Sequence, residues 1–105
     1  MKIEHYQSDK GRIPFEEWFD SLDGRHQAAI ERRVAAVDEH DHLGDCRSLR
    51  GGLYEMRFLG PGLRIYFANV NNTIILMLGG SDKGSQKRAI KAARDRLKDF
   101  KKRTK

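Results

Sequence analysis

The segment YEMRFLGPGLRIYF, at positions 54–67, predicts two β-strands around a tight turn. A register that pairs the residues flanking the four-residue turn places Arg57 opposite Arg64 and Glu55 opposite Tyr66. Side chains alternate along a strand, so these four share one face of the hairpin, and the apolar residues between them form the other. Two guanidiniums that face each other repel, but together they suit a phosphate or a carboxylate. The pattern therefore predicts an anion site on an exposed sheet face.

The same face carries groups that can move protons. Glu55 offers a carboxylate that can accept a proton, and Tyr66 offers a phenol that can donate one or stack on a nucleobase. Cleavage of RNA by its own 2′-hydroxyl needs deprotonation of that hydroxyl, stabilisation of the pentacoordinate phosphate and protonation of the leaving 5′-oxygen. This route requires no metal ion or cofactor, and none is expected. In the alternative interpretation, the face is a solvated network in which Glu55 bridges Arg57 and Arg64.

A glycine-rich segment, GGSDKGSQK at positions 79–87, follows the last predicted strand. Gly79, Gly80 and Gly84 permit unusual backbone angles, and successive N–H groups in such a segment can form a nest for an anion. Lys83 is expected near the N-terminus of the following helix, which also favours negative charge. The P-loop pattern G-x-x-x-x-G-K-[ST] is absent. In the alternative interpretation, the glycine-rich segment is a plain turn that binds no anion.

Charge is distributed unevenly along the 105 residues. The formal net charge is +6, but residues 83–105 contain 11 Lys/Arg against 2 Asp/Glu, a net +9, whereas residues 1–82 contain 10 against 13, a net −3. A basic C-terminal segment on a slightly acidic body predicts binding to a polyanion or to an acidic protein partner. The alternative is a solvated helix face followed by a frayed lysine tail.

Length and composition indicate one domain that spans residues 1–105. No apolar run approaches the roughly 20 residues that a membrane helix needs, and the first ten residues lack the apolar stretch of a signal peptide. Cys46 is the single cysteine, so no internal disulfide is expected. We therefore expect a cytoplasmic protein that does not bind a membrane. His40 and His42 precede Cys46 without the spacing of a structural metal site, so no metal site is predicted there.

The apolar pattern predicts an α+β fold with the element order β-α-α-β-β-β-α. Helical spacing of apolar residues indicates an N-terminal helical hairpin and a basic C-terminal helix, and the closely spaced strands predict a mostly antiparallel sheet with the helices packed on one side. Residues 41–52 are expected to form a loop. The predicted elements are a strand within 1–6, helices from Pro14 and over 25–39, strands over 53–58, 63–68 and 73–78, and a helix capped by Ser85.

Three motifs occur in order: GLYEMR at 52–57, GPGLRIY at 60–66, and GGSDKGSQ at 79–86, preceded by the helical segment FEEWFDSL at 15–22. Together they resemble the RelE/ParE superfamily of type II toxins, and most nearly the HigB-like branch of addiction module killer proteins. The third motif has one extra residue between the glycines and the lysine. The resemblance covers nearly the whole chain and implies a single RelE-like toxin domain.

The resemblance implies an endoribonuclease that cleaves mRNA without a metal ion, usually on the ribosome. It implies neutralisation by a cognate antitoxin, usually a helix-turn-helix protein through which the complex binds operator DNA. By position, Arg57, Arg64, Tyr66 and Lys83 correspond to the catalytic cluster, and Glu55 and Lys83 are both candidates for the general base. The alternatives are a ParE-like inhibitor of DNA gyrase and a non-catalytic partner of a repressor.

The C-terminal helix is expected to bind RNA phosphates, which would make binding steeply dependent on salt. Many relatives carry an acid two to three residues after the glutamine of the third motif, where this chain has basic residues and an alanine. Several ribonuclease toxins also use a C-terminal histidine or tyrosine, and none follows Tyr66 here. The residues predicted to bind RNA are Gln86, Lys87, Arg88, Lys91 and Arg94.

Overall fold

The computed structural model describes residues 1–58, 60 and 62–104. The predicted turn at 59–62 therefore lies partly outside the described residues. Both described glycines in it, Gly60 and Gly62, have positive φ angles of 91° and 75°. The elements in chain order are β1 (Lys2–His5), α1 (Pro14–Asp20), α2 (Gly24–His40), β2 (Cys46–Ser48), β3 (Leu53–Arg57), β4 (Arg64–Val70), β5 (Ile74–Ser81) and α3 (Gln86–Arg103).

The five strands form one sheet in the order β1-β5-β4-β3-β2. Strands β2 to β5 pair antiparallel and β1 pairs parallel with β5, so the predicted mostly antiparallel sheet is confirmed. The predicted register of the hairpin is also confirmed, because Arg57 pairs with Arg64 and Glu55 with Tyr66. Strand β2 lies in the segment that was predicted to be a loop. It is three residues long and shows no apolar alternation, so only its pairing with β3 defines it as a strand.

Strand β5 extends three residues beyond its predicted end and includes the two glycines that were assigned to a loop. A Cβ atom on Gly80 would lie 2.3 Å from the ring of Trp18, and one on Gly79 would lie 2.6 Å from a guanidinium nitrogen of Arg96. The glycines therefore allow close packing on both sides of the strand. The prediction that they belong to an anion-binding loop is wrong.

Helices cover both faces of the sheet, so the prediction that they pack on one side is wrong. One face packs against α1 and α2 in a cluster that includes Phe15, Ile30 and Val37. The other face packs against Ala93 and Leu97 of α3, with Phe100 partly buried beside them. The second face accepts a helix because its strand positions toward the middle of the sheet are apolar: Leu53, Ala68, Leu76 and Leu78.

Local signals account for most helix boundaries. Helix α1 begins at Pro14, whose fixed φ suits the first helical position. Helix α2 is capped by Asp23, which accepts a hydrogen bond from the backbone of His26. Ser85 occupies the N-cap position of α3 as predicted, but its side chain donates to Asp82 rather than capping the helix. Among the described residues, no helix is long and apolar enough to cross a membrane.

Candidate anion-binding and catalytic site

Two rows of polar residues cross the α3-facing side of the sheet near one end. The first row crosses β3, β4 and β5, and the second row lies two residues away along each of these strands and also crosses β2. The peptide N–H of Arg57 donates to the carbonyl of Asp45, which brings the residue before β2 into the first row. The first row is Asp45, Arg57, Arg64 and Ser81, and the second is Arg47, Glu55, Tyr66 and Gly79.

Glu55 is the centre of the second row. Its side chain is fully buried, and its carboxylate accepts from Nε of Arg64 at 2.8 Å and from Nε of Arg47 at 3.3 Å. The amide of Gln86 lies within 3.4 and 3.5 Å of the two carboxylate oxygens. A buried carboxylate is retained when paired and hydrogen-bonded. The alternative network predicted from the sequence thus exists in part, but Glu55 bridges Arg64 and Arg47 rather than Arg64 and Arg57.

The two opposed arginines are each held by a different acid. Arg57 donates through Nη2 to the carboxylate of Asp45 at 3.0 Å, and this contact raises the pKa of its guanidinium. Arg64 donates to Glu55 and, through Nη1, to the carbonyl of Gly62 at 2.9 Å. The repulsion between the arginines is therefore offset by one carboxylate on each. The Nε of Arg57 is buried and has no hydrogen-bond partner among the described residues.

Tyr66 is fully buried, and its hydroxyl lies 2.9 Å from Oγ of Ser81. Burial raises the pKa of Tyr66, and the contact with Ser81 opposes that effect. The prediction that Glu55 and Tyr66 stand on an exposed face is wrong, because α3 covers them. A phenol in this position does not stack on a nucleobase, so the residue supports the site from within.

Arg57, Arg64 and Lys83 line one recess of about 350 Å³, beside Phe58 and Leu63. Gly60 and Gly62 from the hairpin turn also line it. Lys83 is exposed and makes no ion pair or side-chain hydrogen bond with the described residues. The structure therefore brings together three of the predicted catalytic cations around a single opening. Their positive charge and fixed donors suit an anion such as a phosphodiester.

The five residues predicted to bind RNA fall into different environments. Gln86 is directed at Glu55, as described above. Arg94 donates to the backbone carbonyls of Leu49 and Arg50 at 2.6 and 3.1 Å, so it holds the turn before β3. Lys91 pairs with Asp95 at 3.4 Å on the exposed face of α3. Lys87 and Arg88 are exposed, and Lys87 lines a second recess of about 430 Å³ that also includes Lys83.

Sequence reasoning missed three residues of the two rows. Asp45 and Arg47 join the site because β2 pairs with β3, and Ser81 joins because β5 extends past its glycines. The segment DCRS, positions 45–48, has no regular apolar alternation that would mark it as a strand. Among the described residues, no group of three or more His, Cys, Asp or Glu side chains is arranged to hold a metal ion.

The fold is that of the RelE toxins. A double arginine-to-alanine mutant of Escherichia coli toxin RelE in the free state superimposes with a TM-score of 0.65 at 12% identity, over 91% of this chain and 96% of RelE. The intact E. coli RelBE toxin–antitoxin complex gives a TM-score of 0.58 at 11% identity, over 77% of this chain and 94% of the matched chain. The isolated E. coli RelE toxin gives a TM-score of 0.56 at 8% identity, over 86% of this chain and 95% of RelE.

The chain belongs to the same family as an uncharacterized protein of Haemophilus influenzae (strain Rd). The two are 32% identical over 87 residues, which cover 81% of this chain and 87% of the relative. No family model matches the chain. The resemblance to a RelE-like toxin is thus confirmed in the fold, whereas the HigB-like branch stays a prediction.

Proposed function

We propose that this protein is the toxin of a type II toxin–antitoxin system and that it cleaves mRNA, on the ribosome, without a metal ion. The observation that carries the proposal is the recess where Arg57, Arg64 and Lys83 converge on a fold of the RelE type. Opposed guanidiniums beside a lysine suit a phosphodiester whose negative charge increases in the transition state.

In this reaction the 2′-oxygen forms a bond to phosphorus while the bond from phosphorus to the 5′-oxygen breaks. The products are a 2′,3′-cyclic phosphate and a free 5′-hydroxyl. Arg57 and Arg64 would hold the non-bridging oxygens, because each guanidinium is fixed by its own carboxylate and loses little freedom on binding. Neutralising the pentacoordinate phosphate is the largest contribution expected from the protein.

Proton transfer is assigned to Lys83 rather than to Glu55. The carboxylate of Glu55 is buried and already engaged by Arg64, Arg47 and Gln86, so it does not reach a substrate hydroxyl. The amine of Lys83 is exposed at the mouth of the recess. Its ammonium group can donate a proton to the leaving 5′-oxygen, and water can take the proton of the 2′-hydroxyl.

The partner proposed for this toxin is a cognate antitoxin. The solved RelBE complex is a toxin–antitoxin complex, and the chain shares its fold. A helix-turn-helix antitoxin would connect the toxin to operator DNA without direct contact between the toxin and that DNA. The exposed Lys87 and Arg88, at the start of α3, are proposed to contact RNA phosphates beyond the recess.

The test is cleavage of mRNA on programmed ribosomes by the purified protein, with the 5′ and 3′ ends mapped. We expect the wild-type protein to leave cyclic phosphate and 5′-hydroxyl ends. Lys83→Ala should lower cleavage by about 100-fold or more and leave the melting temperature unchanged, because the Lys83 side chain is exposed and makes no ion pair or side-chain hydrogen bond with the described residues. Lys10→Ala is the matched control, since Lys10 is exposed and equally without a partner among the described residues.

Intact mRNA with the wild-type protein, with and without ribosomes, would overturn the proposal. Persistent DNA-damage signalling on expression, with mRNA intact, would instead favour a ParE-like inhibitor of DNA gyrase. Expression without growth arrest would favour a non-catalytic partner of a repressor.

A further inference from the structure

Arg33, in the middle of α2, is a half-buried arginine without a carboxylate partner among the described residues. Its Nη2 donates to the carbonyls of Leu43 and Asp45 at 3.1 and 2.6 Å, and its Nη1 donates to the carbonyl of Arg57. Its guanidinium also lies 4.7 Å from the ring centroid of Phe58. Burial lowers the pKa of the Arg33 guanidinium.

The three carbonyls belong to two segments, and only the segment that contains Arg57 lines the recess. Leu43 and Asp45 lie in the connection between α2 and β2, and Arg57 is the last residue of β3. The planar guanidinium of arginine spreads its donors over a fixed fork, so it can hold all three carbonyls at once. Gly44, between the two loop carbonyls, has a φ of +70°, and a Cβ atom there would lie 3.0 Å from Arg33. The connection is thus folded closely around this guanidinium.

Asp45 links Arg33 to the proposed site. Its carbonyl accepts from Nη2 of Arg33 at 2.6 Å and from the peptide N–H of Arg57 at 2.9 Å. Its carboxylate accepts from Nη2 of Arg57 at 3.0 Å. Arg33 therefore holds the backbone of Asp45, and the carboxylate of the same residue holds the guanidinium of Arg57.

We propose that Arg33 is a positioning residue that sets the Arg57 guanidinium in the recess through Asp45. Arg33 itself does not line the recess, although Phe58, which it contacts, does. Its effect on cleavage must then pass through Arg57. The inference rests on the proposed function only for its activity readout, because the geometry of Arg57 can be measured separately.

A double-mutant cycle with Arg33→Met and Arg57→Ala tests this coupling. In the wild-type background, Arg33→Met should lower kcat/KM for mRNA cleavage by about tenfold, because Arg57 is misplaced. In the Arg57→Ala background, the same substitution should change kcat/KM by less than about twofold. Equal losses in both backgrounds would overturn the proposal, since a general structural role does not depend on Arg57. Arg32→Met is the matched control, on the same helix, exposed and without contacts among the described residues.

A second measurement does not need activity. Relaxation of the Arg57 Nε–H signal by NMR should show an ordered guanidinium in the wild type and in Arg32→Met, and a mobile one in Arg33→Met. An equally ordered Arg57 in Arg33→Met would overturn the proposal even if cleavage is absent. If Arg33→Met does not fold, Arg33→Lys replaces it in both experiments with the same expected results, because an ammonium group keeps the charge but lacks the planar fork that reaches the carbonyls of Asp45 and Arg57.

Discussion

The carboxylate of Glu55 and the guanidinium of Arg64 form a buried ion pair, with 2.8 Å between Oε1 and Nε. Glu55 is fully buried and the side chain of Arg64 is 15% exposed, so water competes little for either group. Arg64 can then present only its remaining donors to the recess. The pair explains how a guanidinium is fixed opposite Arg57, and under the proposed function the role of Glu55 is to orient Arg64 rather than to transfer a proton.

Glu55→Gln tests that assignment. The amide keeps the shape of the side chain but removes the charge between Arg64 and Arg47, so we expect a loss of about 2 kcal/mol in the free energy of unfolding. Cleavage should fall by about tenfold, whereas the pH profile of kcat/KM should keep its shape. Urea unfolding and cleavage measured across pH give both quantities. Glu31→Gln, at an exposed position of α2, is the control; disappearance of the acidic limb only in Glu55→Gln would identify Glu55 as the base.

Gly80→Ala tests whether the glycine pair of β5 serves packing. The added methyl group would lie 2.3 to 2.5 Å from three ring atoms of Trp18, so the ring or the strand must move. We expect a loss of about 1–3 kcal/mol in the free energy of unfolding, measured in urea. Gly24→Ala is the control, because no atom lies within 4 Å of a Cβ at that position. Wild-type stability in Gly80→Ala would show that Trp18 does not pack as described.

Tyr66 should make stability depend on alkaline pH. Its pKa is raised by burial, so the folded state favours the protonated phenol. The stabilisation of the folded state that results is fully present below about pH 10, and it is lost as the pH rises through the raised pKa. Tyr66→Phe should be less stable by about 1 kcal/mol at neutral pH, because Ser81 loses its partner. The difference should shrink as the pH rises above about 10. Urea unfolding from neutral to alkaline pH measures it, and a constant difference would contradict the assignment.

The start of α3 should determine the salt dependence of RNA binding. Replacing Lys87, Arg88 and Lys91 together by Ala should reduce the slope of log Kd against log salt concentration by about 2, because each single-strand phosphate contact contributes about 0.7 to that slope. The control replaces Lys10, Arg25 and Arg32 by Ala. These three residues are exposed, and their replacement changes the net charge by the same amount. Arg94 is left intact because it holds the turn before β3. Equal slopes in the two triple variants would show that only net charge matters.

Several parts of the fold follow from local patterns in the sequence. Pro14 and the apolar spacing that follows it predict α1, and the alternation on either side of the hairpin turn predicts the pairing of Arg57 with Arg64. A slip of one residue would bury charge on the apolar face, so the register has one favourable solution. Strand β2 was missed because three residues carry too little pattern, and β5 was ended early because a glycine pair usually marks a turn.

The sequence by itself determined that two arginines face each other on one side of a hairpin, because turn length and side-chain alternation are local properties of the chain. Only the tertiary structure decided that this side is covered by α3, that Glu55 and Tyr66 are buried there, that Asp45 pairs with Arg57, and that Lys83 joins the two arginines in the recess. The physical reason is that burial by a helix that begins only at Gln86, and pairing with a three-residue strand, depend on packing summed over the whole sheet. No local pattern encodes that sum.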